Sequence, residues 1–180
     1  MSKEEILVHA CCATCACYVL QKIALEYTPV IYYYNPNIYP LEEYIRRRDE
    51  LKNYASHQNI RFIEEIYKHD EWSKFIIGLE KEPEKGQRCD KCFLLRLEKT
   101  ASYALENNIK AFTTTLTISP HKNSKTILKI GNNIAKDKKI FFLATDFKKQ
   151  DGYEKTVEIA KKERFYRQNY CGCLYSLGNL

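Results

Sequence analysis

Five short runs rich in β-branched and aromatic residues alternate with longer stretches whose apolar residues recur at helical spacing, and this alternation limits the chain more than any other feature. The runs are residues 5–10 (EILVHA), 29–35 (PVIYYYN), 60–67 (IRFIEEIY), 110–117 (KAFTTTLT) and 139–146 (KIFFLATD). Helical spacing covers residues 13–27, 41–58, 89–107, 123–137 and 153–163, with a shorter helical stretch at 70–80. Strand after helix, repeated in this way, predicts a mostly parallel sheet of about five strands with helices on both faces, an α/β fold of Rossmann-like form. Ligands of such sheets bind beyond the carboxyl ends of the strands. The informative segments are therefore HACCATC (9–15), YNPNIYP (34–40), TISPHKNS (117–124) and TDFKKQDGY (145–153).

The loops after the first two runs lack the glycine patterns that let a backbone cradle phosphate, which disfavours a dinucleotide or P-loop site. Where those glycines would stand, the chain has thiols. Four of the eight cysteines, Cys11, Cys12, Cys15 and Cys17, fall within seven residues; Cys89 and Cys92 follow in RCDKC, and Cys171 and Cys173 in YCGC. No apolar stretch has the length of a membrane span, and the acidic start MSKEE does not resemble a secretory signal, so a cytoplasmic location with no membrane association is expected. In that reducing setting clustered cysteines point to metal binding or redox chemistry rather than to a disulfide framework. With 180 residues and no repeat or low-complexity tract, a single catalytic domain spanning 1–180 is expected.

Cys89 and Cys92 are placed at the first turn of a helix, where backbone N–H groups and the helix dipole favour thiolates, and CxxC spacing lets both address one metal. Zinc and iron–sulfur sites both take four thiolates, and spacing alone does not separate them. The side chains of adjacent residues diverge, so Cys11 and Cys12 are expected to serve two different centres.

Taken together, HACCATC, YNPNIYPLEEY, RCDKCFLLRL, FTTTLTISPHKNS, ATDFKKQDGYEKT and FYRQNYCGCLYS resemble the cobalamin-independent epoxyqueuosine reductases of the QueH type along essentially the whole chain. The resemblance implies reduction of epoxyqueuosine to queuosine at the wobble position of tRNA, a 4Fe-4S cluster and a neighbouring mononuclear iron. It implies tRNA, through the anticodon loop, and a separate electron donor as partners. Cys11, Cys12, Cys15, Cys89, Cys92, Cys171 and Cys173 match the family pattern, as does Asp146, offering an oxygen ligand or a proton donor; its plainer role is capping the next helix. Cys15 and Asp146 are the residues expected at the chemistry. One division of the thiols gives the cluster Cys89, Cys92 and one from each of the other pairs, leaving the rest with Cys15 and Asp146 for the iron. Cys17 departs from the pattern and is expected to be a helix residue without a ligand role, and Asp90 ranks below Asp146.

His121, Lys122 and Asn123 are candidates for a proton donor or for phosphate or ribose contacts. His9 is expected either to support a thiolate or to be a satisfied core histidine. Trp72 reads as core, as do most of Tyr32, Tyr33 and Tyr34. The net charge of +6 suits a solvated surface or RNA, and Arg46, Arg47, Arg48, Arg164 and Arg167 lie near aromatic residues in a manner that suits unstacked bases. On the residues alone, a zinc-stapled RNA-binding domain without catalytic activity is the competing reading.

Overall fold

A computed structural model describes residues 3–177, so the first two and last three residues of the expected domain lie outside the described residues. Five strands, β1 (Glu5–His9), β2 (Thr28–Tyr33), β3 (Arg61–Glu64), β4 (Ala111–Thr114) and β5 (Phe141–Phe142), form one all-parallel sheet in the order β3-β2-β1-β4-β5. Seven helices connect and follow them: α1 (Ala13–Ile23), α2 (Leu41–His57), α3 (His69–Phe75), α4 (Gln87–Glu106), α5 (Ser124–Lys138), α6 (Gly152–Lys162) and α7 (Leu174–Leu177). The chain runs outward from β1 through β2 to β3, then returns to the other side of β1 with β4. The crevice between β1 and β4 is thus the point where strand order reverses, the place such sheets bind ligands.

Strand alternation divides the core into two layers. Ile6, Val8, Ile31 and Tyr33 face one side, where α1 packs with Ala16 and Leu20 and α2 with Leu51. Leu7, Val30, Tyr32 and Phe112 face the other, against Phe93, Leu97 and Ala101 of α4 and Ile127 of α5. The three tyrosines are all buried; the Tyr33 hydroxyl donates to the Tyr44 carbonyl (3.1 Å) and the Tyr32 hydroxyl to Glu65 Oε2 (2.8 Å). Covering both faces leaves the loop edge as the part of the sheet open to chemistry.

Three strands are much shorter than the residue pattern suggests, and of residues 60–67 only Arg61–Glu64 is strand. In KAFTTTLT the strand stops at Thr114, whose Oγ1 accepts from Leu116 N–H (3.1 Å) and caps a 3-10 turn over Thr115–Ile118. The run KIFFLATD keeps only Phe141 and Phe142 as strand; beyond them Thr113 Oγ1 and Thr117 Oγ1 donate to the carbonyls of Leu143 and Thr145 (both 2.9 Å). Threonine hydroxyls take over from the backbone ladder there, so the chain leaves the sheet without leaving its carbonyls unpaired.

Helix α5 approaches β5 most closely at Gly131. A Cβ there would lie 2.2 Å from Cε1 of Phe142, whose ring is buried at 4.9 Å from that of Phe112. Gly131→Ala is expected to destabilise the protein by about 1–3 kcal/mol, because overpacking exceeds the gain of about 1 kcal/mol in helix propensity. A lowered urea midpoint with an unchanged slope is the expected result; equal or greater stability would mean that the Phe142 ring swings aside without cost.

Candidate metal centre

The first three thiols meet where β1 hands over to α1. Cys12 is the helix N-cap (φ −167°, ψ 159°), and its Sγ accepts from the backbone N–H of Cys15 (3.4 Å) and from Gln168 Nε2 (3.2 Å). Cys15, one turn on, falls on the same helix face. The Sγ atoms of Cys11 and Cys12 are 4.0 Å apart, and those of Cys11, Cys12 and Cys15 all lie within 4.8 Å of one another. The adjacent pair therefore converges rather than diverging. Strand alternation does not carry through residue 11, because the backbone bends there to enter the helix. Three sulfurs this close cannot all carry charge. Cys12 and Cys15, hydrogen-bonding to Cys11, pull its pKa well down against burial, with help from Arg96 and Lys122, whereas Cys12 is pushed up to about 12 and Cys15 well above the ordinary thiol. Two buried thiols and the half-buried Cys15, one of the three a ready thiolate, can bind a metal ion.

Cys89 and Cys92 begin α4 as the spacing predicts, and they share a small cavity with Cys171 and Cys173 from the far end of the chain. Burial raises the pKa of both helix thiols, that of Cys89 to about 11, while the backbone N–H of Lys85 donates to Cys89 Sγ (3.3 Å). Trp72 and Ile76 pack on Cys92 and Cys173. Trp72 is core as expected, yet its Nε1, like Nε of the buried Arg88, has no hydrogen-bond partner. Two unpaired buried N–H groups beside four sulfurs are what a site built for additional acceptors would show.

The tail reaches this position because α2 holds it. Arg47, only 1% exposed, pairs with Glu43 (2.6 Å) and donates to the carbonyls of Cys171 (3.1 Å) and Tyr170 (3.4 Å). Glu50 accepts from Tyr166 N–H (2.7 Å), and the Arg46 guanidinium lies 3.4 Å over the Tyr166 ring. Gly172 sits at φ +116°, a region costly for other residues, and a Cβ there would come within 2.9 Å of Arg47. The arginine run expected at an RNA surface is thus divided: Arg46 and Arg47 bind the tail, and Arg48 pairs with Asp49 and Glu64. Three consecutive helical residues point in different directions, so one of them had to face inward.

Between the two thiol groups opens a cavity of about 520 Å³, lined by Cys11 and Cys15 from one and Cys171 from the other, together with Arg96, Lys122 and Gln168. Exposed His121 lines it as well. Asp146 lines neither cavity; its Oδ1 accepts from Ser124 Oγ (3.0 Å) at the start of α5. Asn123 is the N-cap of that helix, accepting from Thr126 N–H. Asp90 lies on the first turn of α4, half-buried, with its carboxyl raised by burial. Cys17 is fully buried on the opposite side of α1, its Sγ near the carbonyls of Thr14 (3.3 Å) and Thr156 (3.8 Å), and burial raises its pKa to about 11.

His9 proves to be a satisfied core histidine. Its Nδ1 meets Thr114 Oγ1 (3.0 Å) and its Nε2 accepts from Arg96 Nε (3.2 Å), while burial first and Arg96 second push its pKa down to about 3. It touches Arg96 rather than a thiol. Arg96, Asn35, Arg47 and Gln168 are the site residues that sequence reasoning missed. For Arg96 a signal existed: it falls among Phe93, Leu97, Thr100 and Ala101, a charge on the buried stripe of α4.

The chain is similar to known proteins. The family model described as epoxyqueuosine reductase QueH matches residues 6–179. Proteins named epoxyqueuosine reductase QueH from Streptococcus pyogenes serotype M1, Acinetobacter baylyi and Thermotoga maritima are 41%, 40% and 36% identical to it. The matches cover 97%, 97% and 96% of this chain and 71%, 81% and 90% of theirs. A crystal structure described as that of a predicted subunit of tRNA methyltransferase from Methanocaldococcus jannaschii shares the fold, with a TM-score of 0.59 at 13% identity over 88% of this chain and 74% of that one.

Arg47→Leu is expected to cost about 3–5 kcal/mol, since it leaves the largely buried Glu43 carboxylate with only the Tyr166 hydroxyl and takes the donor from two carbonyls. Limited proteolysis should then cut first within residues 164–173. A tail as resistant as in the unaltered protein would show that other contacts hold it. Cys17→Ser, by contrast, should leave bound metal unchanged, as measured by metal analysis, because its sulfur faces α6; loss of metal would place Cys17 among the ligands.

Proposed function

We propose, from the fact that this chain belongs to the epoxyqueuosine reductase QueH family, that it reduces epoxyqueuosine to queuosine at the wobble position of tRNA, with two iron centres held by its thiols. The observation that carries this reading is the gathering of seven thiols into two groups, each of which lends at least one sulfur to the wall of the same large cavity.

The donor sets fit two different groups. Two sulfurs about 2.3 Å from one tetrahedral ion stand about 3.8 Å apart. Cys11 and Cys12, at 4.0 Å, nearly have that spacing, which suits a single iron held with Cys15. Cys89, Cys92, Cys171 and Cys173 line one cavity at wider spacing, and the free N–H groups of Trp72 and Arg88 suit a 4Fe-4S cluster with acceptor sulfides. This division differs from one in which the cluster takes Cys89, Cys92 and one thiol from each of the other two pairs. When bound, such centres supply single electrons and a Lewis-acid position.

Converting the epoxide to an alkene consumes two electrons and two protons and releases water, with the electrons coming from a separate donor. The cavity, at about 520 Å³, is large enough for a modified nucleoside drawn from a single-stranded loop. Lys85, Arg96 and Lys122 outnumber Glu84 in its lining and give it a positive character that suits phosphates of the anticodon loop. Burial works against the charge on Lys122, but Cys171, Cys11 and Cys15 outweigh it and raise its pKa. A durable cation of this kind stabilises negative charge developing on the departing oxygen better than it delivers a proton. His121, exposed at the same wall, is the better placed proton carrier. Asp146 acts through Ser124, fixing the start of α5 and with it the loop that carries Lys122.

A cytoplasmic location accompanies this reading, because that is where the tRNA is; among the described residues no helix is long and apolar enough to cross a membrane. A zinc-stapled RNA-binding domain explains the thiols and the basic tail, but not membership of a reductase family.

Anaerobically purified protein should be coloured, contain iron and acid-labile sulfide, and with dithionite convert epoxyqueuosine in tRNA to queuosine, measured by mass spectrometry of digested tRNA. A colourless protein carrying stoichiometric zinc would contradict the proposal. Lys122→Met should retain iron yet lower kcat by roughly 100-fold, the loss typical of one preorganised electrostatic contact.

A further inference from the structure

Three arginines are buried beside the thiols, Arg47, Arg88 and Arg96, and they differ in their partners; Arg88 donates to the carbonyls of Leu79, Glu80 and Glu82. Arg47 has the carboxylate of Glu43 at 2.6 Å. Arg96, 2% exposed, takes part in no ion pair with a carboxylate among the described residues. Its Nε donates to His9 Nε2 (3.2 Å) and its Nη2 to Asn35 Oδ1 (2.7 Å), both neutral groups. The remaining donor, Nη1, points at Cys92 Sγ (4.0 Å). A guanidinium in a dry interior is strongly disfavoured without an anion, and here only sulfur can supply one.

The placement is equally specific. Arg96 lines the small cavity of Cys89, Cys92, Cys171 and Cys173 and also the large cavity touched by Cys11 and Cys15. It stands between the two thiol groups. Its donors are fixed from behind: His9 is held by Thr114 Oγ1 (3.0 Å), and Asn35 by donation to the Ala10 carbonyl (2.8 Å). These anchors come from the ends of β1 and β4 and from the loop after β2, so the sheet itself aims the guanidinium.

We propose that Arg96 is a positioning residue that serves as a fixed counter-cation shared by the two thiol groups and raises the electron affinity of the centre bound through Cys92. The inference rests on the reading that these thiols hold iron centres. A cation beside a centre that becomes more negative on reduction stabilises the reduced form, so removing it lowers the midpoint potential. His9 and Asn35 act only by holding the guanidinium, and neither needs to change protonation.

The test is an EPR-monitored redox titration of the anaerobically purified full chain, with iron and sulfide measured in each sample, for the unaltered protein, Arg96→Met and Arg96→Lys. Arg96→Met should keep its sulfide, but its reduced-to-oxidised ratio at a fixed potential should fall at least about tenfold, a midpoint about 59 mV lower for one electron. Arg96→Lys, which keeps the charge, should titrate close to the unaltered protein. Loss of the cluster in Arg96→Met with retention in Arg96→Lys also supports the proposal, since charge is then what assembly needs. An unchanged midpoint in Arg96→Met overturns it, as does Arg96→Lys behaving like Arg96→Met in potential or in cluster loss, which would assign Arg96 to packing. Absence of a cluster from the unaltered protein would instead refute the proposed function.

Discussion

The carbonyl oxygens of Tyr170 and Cys171 receive their hydrogen bonds from one buried guanidinium, that of Arg47, and the assembly of the site depends on this contact. The tail carrying Cys171 and Cys173 has no regular structure between α6 and α7, so no backbone ladder holds it against the sheet. In place of a ladder there are fixed polar contacts: Glu43, Arg47 and Glu50 lie one turn apart along α2, and each meets a tail group or supports one that does. Gly172 completes the fit, since its positive φ turns the chain between the two cysteines where a side chain would strike Arg47. Four thiols from positions more than 70 residues apart thereby come to line one cavity.

Charge balance explains why this edge of the sheet can be both buried and basic. Thiolates are poor anions to bury alone, and arginines are poor cations to bury alone. Arg96 and Lys122, together with the sulfurs of both groups, offset one another: Lys122 keeps its proton because of Cys171, Cys11 and Cys15, and Cys11 loses its proton readily because its neighbours hydrogen-bond to it and these cations stand near. His9, neutral and locked between Thr114 and Arg96, contributes direction without adding charge. The same arrangement that makes the folded state tolerable also readies one sulfur, that of Cys11, for a metal, because ligands must be deprotonated to bind.

The sheet and its reactive edge were legible because alternation, a local property, records burial on both faces. Cys89 and Cys92 were legible for the same reason, being one helical turn apart. Other features depend on partners distant in sequence and left no local trace. Arg47 looked like part of a basic surface run, and only its contact with residues 123 and 124 positions away reveals its role. Cys11 and Cys12 were expected to diverge because they are sequence neighbours, whereas the bend at residue 11 brings their sulfurs together. Strand β5 was overestimated since Leu143 and Thr145 are bound by threonine hydroxyls, which a residue pattern cannot distinguish from ladder pairing.

The central claim is that the seven thiols form two separate centres on either side of Arg96. Anomalous diffraction at the iron absorption edge, from crystals grown without oxygen, tests it most directly. Two peaks are predicted: a strong one bounded by Cys89, Cys92, Cys171 and Cys173, and a weaker one at Cys11, Cys12 and Cys15. A single peak shared by cysteines of both groups, or strong density at the trio with none among the other four, would contradict the account.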